Sequence, residues 1–171
     1  MSVKEFKNIV FPIQNALFRV AKRVVGESSL AEDVVQEVFI KIWNQRNQLA
    51  DIKNIEAWSM RMTKNLSIDK LRSKHQKTVE LDEQYDQVSA AHSPHQLLES
   101  EDTMQHLKQL MHALPEKQRL ILHLRDVEDL SYQEISEVMN LPMNQVKVNL
   151  FRARQQMRAR ILDSKLELGQ N

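Results

Sequence analysis

Cysteine is absent from the 171 residues, and glycine occurs only twice, at Gly26 and Gly169. Without thiols there is no disulfide framework and no cysteine nucleophile, a composition that fits a reducing compartment. So few glycines weigh against β or α/β folds of this size, whose turns and bulges use left-handed backbone. The same shortage excludes the glycine-rich phosphate cradles of nucleotide-dependent enzymes. Proline appears four times. No apolar run approaches the ~18 residues that would span a bilayer. The first residues lack the basic, apolar and small-residue order of a signal peptide. A soluble, cytoplasmic, all-α protein is expected, without membrane insertion.

Charge is scarce only on average. The net charge is +1, yet residues 1–77 carry +6, residues 78–107 carry −7 with no Lys or Arg, and residues 108–171 carry +2. A positive, negative, positive layout suggests two nucleic-acid-facing modules separated by an acidic strap.

Helical periodicity organises both modules. A first helix is expected over Lys4 to Val25, with Pro12 near a turn boundary and Gly26 as terminator. Ser29 with Glu32 reads as a capping box opening a second helix. Leu30, Val34, Val35, Val38, Phe39, Ile42 and Trp43 form its packing stripe. The stretch Asn44 to Asn54 is polar and turn-like, and Asn54 can cap a third helix reaching His75 or Lys77. Its expected buried stripe is Ile55, Trp58, Met62, Leu66 and Leu71. Its other faces carry Arg61, Lys64, Lys70, Arg72, Lys74 and Lys77 against only Glu56 and Asp69.

Periodicity then dissolves, so residues 78–94 read as an acidic, flexible linker. Helix resumes near His95 and stops at Pro115, then restarts through Leu120, Leu122 and Leu124. Ser131-Tyr132-Gln133-Glu134 is a second capping box. A turn at Asn140-Leu141-Pro142 leads to a long helix from Met143, with Val146, Leu150, Ala153, Met157 and Ile161 on one narrow arc. Short helix, turn and longer basic helix make a helix-turn-helix. The expected layout is two small helical domains, 1–77 and 95–171, joined by the acidic linker.

Three stretches in this order resemble the extracytoplasmic-function (ECF) sigma factors of the sigma-70 family. Ala31-Glu32-Asp33-Val34-Val35-Gln36-Glu37-Val38-Phe39 is similar to the family's polymerase-binding helix. Trp58 through Arg72, with Asn65 and Asp69 one turn apart, is similar to its −10 recognition and melting helix. Leu114-Pro115 through Ile135 and on to Arg152-Ala153-Arg154 is similar to its −35 reading domain. The resemblance implies region 2 at the N-terminus and region 4 at the C-terminus. It also implies promoter-specific transcription initiation on core RNA polymerase, with the beta-prime clamp helices and the beta flap as partners. Promoter DNA and an anti-sigma protein complete the implied partners.

Residue by residue, Asp33, Gln36 and Glu37 would bind polymerase, where arginines suit such a carboxylate patch. Arg61, Lys64, Asn65, Lys70, Arg72 and Lys74 would meet −10 DNA, through counterion release for the cations. A base flipped from the non-template strand would enter near Asn44 to Asn54, where Asn44, Gln45, Asn47 and Gln48 offer amides. Asn144, Gln145, Lys147, Val148, Asn149 and Arg152 would enter the −35 major groove. Val148, Phe151 and Gln155 lie opposite the buried stripe with Asn144 and Arg152. Trp43 and Trp58 sit on apolar stripes, which favours packing over base stacking. Where many members carry glycine in the turn this chain has Asn140, and Gln145-Val146-Lys147-Val148-Asn149 replaces a commoner Thr-Val-Lys-Ser-Arg. No promoter consensus carries over.

Rival classes explain less. His92 and His95 have no paired metal motif beside them, so no metal, cofactor or enzymatic activity is expected. A helix-turn-helix regulator leaves the basic helix at 55–77 without a task, and a polymerase adaptor leaves the second basic helix without one.

Overall fold

Capping and apolar spacing place helices along both ends of the chain, and the computed structural model describes residues 2–82, 106–107 and 109–168. Helix α1 spans Val3–Val25, α2 Ser28–Asn44 and α3 Ile55–Asp82. Helix α4 spans Glu116–Asp126, α5 Tyr132–Met139 and α6 Met143–Leu168. Residues 106–107 and 109–112 are also helical, and a single 3-10 turn covers Leu49–Asp51. The fold is all-α, with no strand among the described residues.

Local chemistry sets the boundaries. Ser2 and Glu5 form a capping box that starts α1, and Gly26 ends it at φ 78°. Pro12 does not mark a boundary. It lies inside α1 on an exposed face, where its fixed φ is compatible with helix and only one backbone hydrogen bond is lost. The Ser29 capping box does not form either. Glu27 is the N-cap residue, Ser28 is already helical, and the Ser29 hydroxyl instead donates to Glu27 Oε1 at 2.8 Å. Gly26 leaves only Glu27 between the two helices, so the chain has no room to start later.

Asn54 does cap α3: its Oδ1 accepts from the Ala57 N–H at 2.9 Å. Helix α3 then continues to Asp82, five residues into the segment expected as linker, while residues 83–94 of that segment and 95–105 of the next lie outside the described residues. The Ser131–Glu134 box forms as expected at the start of α5. Asn140 closes that helix in the left-handed conformation, φ 53° and ψ 50°, which Asn tolerates better than most residues.

Packing produces one surprise. In α2 and α6 the buried residues are the apolar ones, Val34, Val35, Val38 and Ile42 in the first and Val146, Leu150, Ala153 and Met157 in the second. In α3 the expected stripe is displaced. Leu66 is buried, but Ile55, Trp58, Met62 and Leu71 are only half-buried. The fully covered side is Ala57, Ser59, Met60, Thr63, Lys64 and Ser67. These residues are mostly small, and they let α3 pack on α1 and α2 along one side and on α5 along another. The two halves of the molecule therefore share one continuous core, running from Val10 to Met157. Helix α1 also packs on α4.

Candidate polymerase and nucleic-acid interfaces

Helix α2 turns Asp33 and Gln36 outward, with Glu37 half-buried beside them. All three fall on the arc opposite the Val34–Val38–Ile42 stripe, as helical spacing requires. The Glu37 carboxylate is not free: Lys70 of α3 reaches it at 2.9 Å and Lys41 at 3.6 Å. The hydrogen bond from Lys70 holds its carboxyl below the usual range. Ile40, on the same arc, is largely exposed. The patch is thus acidic and amide-bearing around an exposed apolar centre, a composition suited to a protein partner. Sequence reasoning missed Ile40, although an isoleucine off the packing stripe was a readable signal.

On α3 the expected cations divide. Arg61, Asn65, Asp69 and Arg72 share an exposed arc. Lys70 is tied to Glu37, and Lys74 to Glu27 at 2.7 Å. Lys64 leaves the group: it is 8% exposed, and burial, with Arg61 nearby, pushes its amine pKa down. Its position on the covered side of α3, which no hydrophobic count revealed, removes it from the open cationic face. Among the loop amides, Asn44, Gln45, Asn47 and Gln48 are all exposed. Trp43 is half-buried, with Phe6 edge-on at 5.0 Å between ring centroids and Arg46 over its ring at 4.6 Å, so it packs instead of standing free. Trp58 is half-buried against the core.

On α6 the outer face is open. Asn144, Gln145, Lys147, Val148 and Arg152 are all exposed, and Gln155 extends the same face. Phe151 is 69% exposed, the largest value among the exposed large hydrophobic side chains. Asn149 differs from the expectation of a free reader: it is half-buried and donates from Nδ2 to the Gln145 carbonyl at 2.8 Å. Arg154 is held by Asp126, and Arg160 donates to the Ala113 carbonyl at 3.2 Å, so both brace the domain.

Behind the outer face of α6 lies a groove of about 510 Å³. Leu107, Met111, Leu122, Val127, Met157 and Ile161 supply its apolar walls, and Asp126, Arg154 and Arg158 its charges. Nothing in the apolar periodicity distinguished it from filled core. No cluster of His, Asp or Glu among the described residues has metal-site geometry, and no helix among them is long and apolar enough to cross a membrane.

Comparison with known proteins agrees with this geometry. The sequence matches Sigma-70 region 2 over residues 12–77 and Sigma-70, region 4 over residues 104–157. It is 30% identical over 150 residues to the ECF RNA polymerase sigma factor SigM of Bacillus subtilis, covering 85% of this chain and 88% of SigM. It is 27% identical over 168 residues to SigW of the same organism, covering 92% and 89% respectively. In structure it is similar to the sigma factor RpoE of Bartonella quintana, solved in complex with the anti-sigma factor NepR. That match has a TM-score of 0.73 and 22% identity, covering 92% of this chain and 96% of RpoE. With both sigma regions in order and a curated relative matched along most of its length, the chain belongs to the ECF RNA polymerase sigma factors.

Proposed function

We propose that α2 and the apolar groove hold core RNA polymerase while α6 and the exposed arc of α3 read the −35 and −10 promoter elements. The observation that carries this reading is the outer face of α6. A helix-turn-helix has buried one stripe and left Asn144, Val148, Phe151 and Arg152 free on the other. Asn reads adenine, Arg reads guanine, and Val and Phe meet thymine methyls, so the face carries a base-reading vocabulary. Arg61 and Arg72 on α3 would neutralise phosphates, with Asn65 between them and the loop amides at the helix entrance.

The Asp33–Gln36–Glu37 patch with Ile40 fits the arginine-bearing beta-prime clamp helices. The groove in the C-terminal domain offers an apolar segment of the beta flap a seat. An anti-sigma protein would compete for these surfaces; the structurally similar RpoE was solved with one bound. The work is done in the cytoplasm, on the nucleoid through polymerase, and the chain itself catalyses nothing.

The test is transcription in vitro with core polymerase and fragmented genomic DNA from the host, mapping start sites. Discrete transcripts that need this protein are expected, and their aligned upstream sequences supply both elements. No protein-dependent initiation from a folded protein and active polymerase would overturn the reading. Asp33→Lys with Glu37→Lys is expected to lower polymerase affinity at least tenfold with the helical content intact. Unchanged affinity would reduce the patch to a solvated helix face whose Glu37 serves only to hold Lys70.

A further inference from the structure

A polar cluster joins α1 of the N-terminal half to the turn between α4 and α5. Arg19 on α1 donates from Nε and from an Nη to the two oxygens of Glu128, at 2.7 and 2.6 Å. His123 of α4 places Nε2 3.0 Å from the same carboxylate. The Glu128 side chain is 2% exposed although it lies on the turn between α4 and α5. That turn is shaped for the contact. The Val127 and Glu128 N–H groups both donate to the His123 carbonyl, Asp129 takes φ 54°, and Arg125 donates to the Leu130 carbonyl at 2.7 Å. A left-handed aspartate is uncommon, and here it folds Glu128 back toward α1.

A second link stands at the entrance to α3. Asn54, which caps that helix, donates from Nδ2 to Glu134 Oε1 at 2.6 Å, while the other Glu134 oxygen accepts from the Ser131 N–H at 2.6 Å. The caps of α3 and α5 are thereby joined across the domain boundary. One turn beyond Arg19, the cluster contains its own opposition. Arg23 is half-buried with no hydrogen-bond partner at Nε, and burial and the charge of Arg119 on α4 both disfavour its ionised form. A strong bidentate pair beside a poorly satisfied, like-charged one makes a contact that holds but can release.

We propose that the Arg19–Glu128–His123 cluster is a latch that closes the C-terminal domain over the entrance of α3. This rests on the reading of α3 as the −10 helix. Length makes the consequence definite. Elements centred about 25 base pairs apart are about 85 Å apart along duplex DNA at 3.4 Å per pair. Two domains of this size in direct contact have centres only about 30 Å apart, since a radius of gyration near 12 Å corresponds to an outer radius near 15 Å. The closed chain can show α6 to DNA but cannot reach both elements, so bipartite reading requires the latch to open. The 23 residues between Asp82 and His106 permit a gap of up to about 80 Å.

The absence of native cysteine allows a direct test in the full chain. Gln14→Cys and Glu137→Cys, both at exposed positions, would be labelled for energy transfer between the domains. High transfer is expected in the parent. Arg19→Ala, whose side chain is half-exposed and therefore tolerant, is expected to lower it, and Glu128→Gln to do the same. The double variant is expected to be no more open than either single one, as befits one shared interaction. Circular dichroism on each variant separates opening from unfolding. Unchanged transfer in a folded Arg19→Ala chain, or low transfer in the parent, would overturn the latch. Affinity for a labelled single-stranded 12-mer is expected to rise severalfold in Arg19→Ala. If transfer falls and affinity does not rise, the occlusion is wrong. A further Arg61→Ala, Arg72→Ala change in that background then reports separately whether α3 is the binding face.

Discussion

Helices α3 and α6 are both long, both basic in the sequence, and both expected to meet DNA, yet the structure treats them oppositely. Helix α6 buries one apolar stripe and leaves its outer face in water. Helix α3 is packed on more than one side by α1, α2 and α5, with Lys64 covered and Lys70 and Lys74 bonded to carboxylates. One helix presents its chemistry; the other has much of it already spent on the fold. The difference teaches that a count of cations is a poor measure of a DNA face, because a bonded or buried lysine neutralises no phosphate until its partner lets go.

The sharpest way to break the comparison is to remove the stripe that holds α6 in place. Leu150 is 2% exposed at the centre of that stripe. Leu150→Ala is expected to cost about 2–5 kcal/mol through lost burial and the cavity left behind. Thermal denaturation would show the C-terminal domain melting earlier, with −35 duplex binding lost at the same temperature. A cost below about 1 kcal/mol would mean that the stripe is not the support of the reading face.

Acid acts next, through the latch. Burial pushes the Glu128 carboxyl up, but the bonds from Arg19 and His123 more than reverse this, taking its pKa down to about 2 from an ordinary 4.5. Arg19 of α1 and His123 of α4 are the charged or titratable groups that act on it. A depressed carboxylate pKa gives stabilisation that is fully present above about pH 4.5 and is lost as the pH falls toward 2. The amount is on the order of 3 kcal/mol. Chemical denaturation across that window should show the loss, and Glu128→Gln should flatten it. An equally steep profile in the variant would assign the acid sensitivity elsewhere.

A smaller effect separates reading from folding on the open helix. Arg152 is exposed and has no structural bond among those that brace α6, unlike Arg154 and Arg160. Arg152→Ala is expected to weaken −35 duplex binding by about 1–3 kcal/mol. Its thermal midpoint and its polymerase affinity should hardly move. Parallel loss of both bindings would place the reading face elsewhere on the domain.

How much of this was legible follows the same division. The C-terminal domain could be read closely from sequence, because its signals are local: the Ser131–Glu134 box and the Val146–Leu150–Ala153–Met157 stripe both stand as expected. In the N-terminal domain, Asn54 announced α3, but the buried side of that helix did not announce itself. Ser59, Thr63 and Ser67 look like surface residues to any hydrophobic pattern, and Trp58 and Met62 drew the stripe to the wrong side. The latch was illegible for another reason. Arg19 and Glu128 are 109 residues apart, and no spacing rule couples residues that meet only after two domains dock.

The smallest expected effect tests why α3 was misread. Thr63 satisfies its hydroxyl by donating to the Ser59 carbonyl at 2.9 Å, but the Ser67 hydroxyl is fully buried with no hydrogen-bond partner. If size is what matters at Ser67, then Ser67→Ala removes an unsatisfied polar atom while keeping the close helix approach. The change should be neutral within about 0.5 kcal/mol, or slightly stabilising. Ser67→Leu supplies the hydrophobic residue that a pattern reader would prefer, and overpacking should cost about 1–3 kcal/mol. Denaturant midpoints of the two variants decide the matter. A costly alanine would mean the hydroxyl is bonded after all, and a tolerated leucine would mean that α3 does not need small residues to lie so close to its neighbours.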